Sequence, residues 1–104
     1  MALRGEYAAI AAAGTTQATA TEMPAYTVMV TSGTGGVMLP PLNVNEEAVV
    51  CNGLTGSSAI DLMVYPRSGG KINNATADTP LLIPESRAVR FRATDGAGNV
   101  IAVF

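Results

Sequence analysis

Arg87-Ala-Val-Arg-Phe-Arg-Ala-Thr94, then Asp95-Gly-Ala-Gly98, then Asn99-Val-Ile-Ala-Val-Phe104 is the stretch that decides the fold class. Its first segment alternates strictly, placing Val89, Phe91 and Ala93 on one face and Arg90, Arg92 and Thr94 on the other. A period of two is the mark of a half-buried strand. The glycine-bearing loop reverses the chain, and the final run returns beside the first as a hairpin. That run is apolar at both parities, so it is expected to be buried on both faces. An exposed edge of this composition invites aggregation.

The same signals recur upstream. Tyr26-Thr-Val-Met-Val-Thr31 has strong strand propensity, and Ser32-Gly-Thr-Gly-Gly36 is a turn. Val37-Met-Leu39 stops at Pro40-Pro41, because proline cannot donate to a ladder. Glu47 to Asn52 is closed by Gly53, with Cys51 expected as core filler. Ile60 to Tyr65 alternates, with Asp61 on its outward face, before the turn Pro66 to Gly70. Gln17–Thr21 is expected as a half-exposed strand, Lys71–Asn73 as a minimal one, and Leu81–Ile83 as a short one between prolines. Turn signals fall roughly every 8 to 12 residues, which gives about eight short strands and the sandwich or barrel pattern. The expected fold is all-β, a single small jelly-roll-like β-sandwich over residues 14–104. No long helical period follows residue 13, which excludes an α/β fold. Residues 1–13 form an arm or short helix, with Leu3, Tyr7 and Ile10 on one helical face and Gly14 ending it.

Composition narrows function by exclusion. Of 104 residues, 48% are hydrophobic and only 13% charged, a balance that points to association. The net charge of −2 exerts no pull on nucleic acid. Histidine is absent, which removes the commonest general base and zinc ligand. Cys51 is the single cysteine, so no intrachain disulfide forms. The acids Glu6, Glu22, Glu46, Glu47, Asp61, Asp78, Glu85 and Asp95 are scattered along the chain, mostly at loops and strand ends. Ser32–Gly36 lacks the Gly-Lys-Ser/Thr ending of a phosphate loop, and Asp95–Asn99 lacks the closing Glu of a calcium loop. No catalytic residue, metal or cofactor is expected. Tyr7–Ala13 is far shorter than the roughly 20 residues that span a bilayer, and the pattern Met1-Ala-Leu-Arg-Gly-Glu6 carries no expectation of a signal peptide. Synthesis in a bacterial cytoplasm, with no membrane partner, is the expectation.

Arg87, Arg90 and Arg92 are three of the six basic residues. A solvated strand face is the plain account of them. The functional account is a docking surface for carboxylates, which arginine pairs with in bidentate fashion.

Ala13-Gly-Thr-Thr-Gln-Ala-Thr-Ala-Thr21, Gly35-Gly-Val-Met-Leu-Pro40, Met63-Val-Tyr-Pro66, Gly69-Gly70, Ile72-Asn73, Leu81-Leu-Ile-Pro84 and the Arg87–Thr94 strand occur in one order. This ordered pattern, over roughly residues 13 to 95, resembles β-sandwich virion proteins of tailed bacteriophages. The resemblance implies a capsid decoration (cement) protein on the virion surface, without enzymatic activity. Its partner would be the major capsid protein, and its state a homotrimer. Leu3, Tyr7 and Ile10 of the arm, with Arg87, Arg90 and Arg92, are the expected interface. A start at Met1 and an end inside a strand carry the expectation of a complete small protein. The alternative is a fibre or spike domain for host-surface recognition, disfavoured by the lack of Trp and by only three Tyr.

Overall fold

The computed structural model describes residues 7–55 and 61–103. Nine strands and no helix occur among them: β1 (Tyr7–Ala12), β2 (Thr21–Glu22), β3 (Thr27–Gly33), β4 (Gly36–Met38), β5 (Glu47–Asn52), β6 (Leu62–Tyr65), β7 (Leu81–Ile83), β8 (Ala88–Ala93) and β9 (Val100–Val103). They form a five-stranded sheet, β1-β3-β5-β8-β9, and a four-stranded sheet, β2-β4-β6-β7. The all-β class agrees with the sequence.

The path of the chain differs from expectation. From β1 to β6 the chain crosses to the opposite sheet after every strand. Parallel neighbours need a crossover of about a dozen residues or more, and here each crossover carries a strand of the other sheet. Hence β1–β3, β3–β5, β2–β4 and β4–β6 are all parallel. Tyr7 lies beside Thr27, and Thr27 beside Val49, so the coil advances by 20 and then 22 residues. Only after β6 does the chain reverse, with β7, β8 and β9 each antiparallel to a neighbour. A jelly roll is antiparallel throughout, and this coiled path departs from it.

Residues 7–12 illustrate the same point. Expected as arm or short helix, they are strand β1 at the edge of the larger sheet. An Ala-rich segment has no decisive local preference, and pairing with β3 buries Ala12 and half-buries Ala8 and Ile10 on the core. Ile10 is thus packing material, not a projecting contact. Leu3 lies outside the described residues, as does the side chain of Tyr7.

The inward residues of both sheets form one cluster. Val28, Val30, Val50, Val89 and Phe91 come from the five-stranded sheet, and Val37, Leu62, Val64 and Ile83 from the other. Each such side chain contributes roughly 1.5–3 kcal/mol of burial. Asn52 is the single buried polar residue among those described. It bridges the sheets: Nδ2 donates to the Ile83 carbonyl at 2.9 Å, while Oδ1 accepts from the Leu54 amide at 3.1 Å.

Other expectations shift locally. Residues 16–20 are a turn with Ala20 N–H donating to the Thr16 carbonyl, so only Thr21–Glu22 is strand. The neighbouring Thr15 carbonyl accepts from the Tyr65 hydroxyl at 2.8 Å, and Tyr65 is buried. Lys71–Asn73 reduces to a single bridge, Ile72 to Val100. Asp61 precedes β6 instead of lying inside it and is exposed. Cys51 is half-buried on the outward face, because Val50 takes the core position.

Candidate interaction surface

Strand β8 alternates as the sequence predicts, with Arg90 and Arg92 exposed and Val89, Phe91 and Ala93 buried. What tertiary structure adds is their neighbours. Arg92 lies between Glu47 of β5 and Ile101 of β9, and Arg90 between Val49 and Val103. Beside them, Cys51 is in register with Ala88 and Met29. Arg92 also donates to Asn45 Oδ1 at 3.4 Å, and its cross-strand Glu47 carries the opposite charge. Arg90 is flanked in register by two valines. A guanidinium set among apolar groups is where a partner carboxylate gains most from pairing.

Strand β9 overturns the expectation of double burial. Val100 is buried, but Ile101 is 44% exposed and Val103 47%. The aggregation hazard is handled at the edge, not on the face. The Val100 amide donates to the Lys71 carbonyl at 2.9 Å, and the Val100 carbonyl accepts from the Asn73 amide at 3.0 Å. The Ala102 amide donates to Asn73 Oδ1 at 2.8 Å. These bonds occupy the outer rim of β9, so strand addition there is blocked while Ile101 and Val103 stay exposed on the face.

Arg87 does not join this face. It precedes β8, its carbonyl accepts from the Asn52 amide, and its alternation parity is opposite to that of Arg90 and Arg92. Ile101, Val103 and Val49 were not singled out from sequence. For Ile101 and Val103 the signal was present in the two-sided apolar composition of 99–104, which burial explained equally well; Val49 lies on another strand, and only the pairing of β5 with β8 brings it here.

A second feature lies where the ends of several strands meet. Tyr26, Asn43, Glu46, Arg67 and the 96–98 loop line an open cleft of about 390 Å³. Glu46 Oε1 accepts from the Asn43 amide at 2.7 Å and from the Tyr26 hydroxyl at 3.5 Å. Arg67 is ion-paired with Glu22.

In the β8–β9 loop, Asp95 is spent on its own turn. Its oxygens accept from Asn99 Nδ2 at 2.9 Å and from the Ala97 amide at 2.8 Å. These bonds, the Asn99 side chain first, lower the Asp95 carboxyl below its ordinary 3.8. A depressed carboxyl stabilises the folded loop at pH above the ordinary value, and that contribution disappears as pH falls through the folded value. An NMR pH titration is therefore expected to place the Asp95 midpoint below 3.8. A midpoint at or above it refutes the hydrogen-bonded turn. Comparison with protein-family models, curated proteins and solved structures returns no match.

Proposed function

We propose that this chain is a non-enzymatic structural protein of a phage particle that decorates and stabilises the outer capsid surface. The observation carrying this reading is the outward face of the five-stranded sheet, where Arg90 stands between Val49 and Val103 and Arg92 between Glu47 and Ile101. An apolar patch centred on arginine suits a permanent protein partner, here the major capsid protein presenting carboxylates within an apolar surface. The body is read as a small β-sandwich whose opposite sheet faces away from the shell. Assembly as a homotrimer multiplies each docking face, so individually weak contacts sum. The ordered resemblance over residues 13 to 95 supports the same assignment.

Arg90→Ala with Arg92→Ala is expected to weaken attachment to particles lacking the protein by roughly tenfold or more, and to flatten its salt dependence. Val103→Asp is expected to abolish attachment while shifting stability by only about 0.5 kcal/mol, as for a surface substitution. Co-sedimentation with such particles measures both. Undiminished attachment of either variant would sink the assignment of this face.

The cleft beside Tyr26, with Glu46 and Arg67 on its wall, favours a second reading as a fibre or spike domain recognising a host-surface group. Copy number separates the two. Hundreds of copies per purified particle fit decoration, and a few fit a spike.

A further inference from the structure

We propose that Asn52–Gly53 is a deamidation site held closed by the fold, so that unfolding of this chain becomes irreversible with time. Asn52–Gly53 is the single Asn-Gly pair in the sequence. The remaining asparagines precede Val44, Glu46, Asn74, Ala75 and Val100. Glycine leaves its own amide nitrogen unshielded, which makes this pair the reactive one in a flexible chain.

The chemistry is self-contained. The Gly53 amide gives its proton to hydroxide, and the nitrogen attacks Asn52 Cγ. A new N–C bond closes a five-membered imide as the Cγ–Nδ2 bond breaks, and Nδ2 takes a proton from water to leave as ammonia, which regenerates the hydroxide. Water then adds to one imide carbonyl, opening the ring to aspartate or isoaspartate.

The native structure blocks each stage. The Gly53 amide, the nucleophile, donates to the Val30 carbonyl at 2.9 Å. The leaving nitrogen Nδ2 is bound to the Ile83 carbonyl at 2.9 Å, and Oδ1 to the Leu54 amide at 3.1 Å. Asn52 is 0% exposed, which keeps hydroxide and hydrolytic water away. Unfolding removes all of these restraints together.

The product cannot return to the same place. Aspartate at position 52 offers no donor to the Ile83 carbonyl and brings a negative charge into a site enclosed by Val30 and Leu54. Isoaspartate lengthens the backbone by one carbon between residue 52 and Gly53, displacing the Gly53 amide from the Val30 carbonyl and Leu54 from the core. Unfolded molecules are thereby chemically committed, a route by which operational stability becomes a rate.

The test uses the full chain in one mildly alkaline buffer, with and without guanidinium chloride. Peptide mass spectrometry follows conversion at Asn52, and dilution from denaturant follows the refoldable fraction by circular dichroism. Conversion in denaturant is expected to exceed that of the native protein by about tenfold or more, given how rarely a native domain opens. The refoldable fraction should fall in step with it. Equal conversion in the native state, or full refolding of converted chains, overturns the proposal. Gly53→Ala is expected to slow the denatured-state reaction several-fold, a rate that can be read whether or not the variant folds. Asn52→Asp is expected to be recovered unfolded, and a wild-type melting curve for it would also overturn the proposal.

Discussion

Asn52→Ala is expected to destabilise the protein by about 3 kcal/mol, lowering its melting temperature by roughly 12–24 °C at about 4–8 °C per kcal/mol. Truncation orphans two buried backbone groups at once. The Ile83 carbonyl loses its 2.9 Å donor and the Leu54 amide its 3.1 Å acceptor. Each unsatisfied group costs about 1–3 kcal/mol, far more than the net worth of an exposed hydrogen bond. Asn52→Leu separates the effects, because it leaves the same orphans but restores apolar volume worth up to about 2 kcal/mol. It should fall between alanine and wild type. Thermal melts of the three proteins decide the matter, and an alanine variant within about 0.5 kcal/mol of wild type would mean the inter-sheet link carries little.

Gly35→Ala is expected to cost more than about 4 kcal/mol and to leave little folded protein. Gly35 has φ of +107°, a conformation L-residues rarely adopt, and an added Cβ would sit 2.2 Å from the Gly14 carbonyl oxygen. The obstruction is backbone of the preceding corner, so relief requires moving a whole turn of the coil. Two other glycines isolate the contributions. Gly69 shares the positive φ, at +81°, but has open space around it, so Gly69→Ala should cost only about 1–2 kcal/mol. Gly96 has neither constraint, and Gly96→Ala should lie within about 0.5 kcal/mol of wild type. Chemical denaturation of the series tests this order. A Gly35 variant no worse than the Gly69 variant would show that the stacked corners do not need their close approach.

These two sites mark what was hard to see in one dimension. Gly35 was recognisable as a turn residue, but its need for glycine comes from Gly14, a contact between successive coils. Asn52 read as the polar end of a strand, because its bond to Ile83 spans 31 positions. Arg90 and Arg92 were legible as a shared outward face, since alternation within one strand is a local property. Their apolar surroundings were not, because Val49 comes from another strand and the openness of Ile101 and Val103 depends on what covers the sheet. Ile10 was misplaced for a related reason. An Ala-rich segment satisfies helix and strand patterns alike, and β3 decides between them.

By itself, the sequence determined the all-β class, most turn positions, the β8–β9 hairpin and the outward parity of Arg90 and Arg92. All of these follow from short-range rules: period-two alternation, glycine at reversals and proline at strand ends. Tertiary structure alone decided the coiled path, the partner of each strand, and which side of β9 meets solvent. Strand pairing joins residues some 20 positions apart in the coil, and burial is a property of what lies opposite. The hairpin that revealed the fold class therefore also hid the surface proposed to dock. Its apolar outer residues look the same in sequence whether a sheet covers them or nothing does.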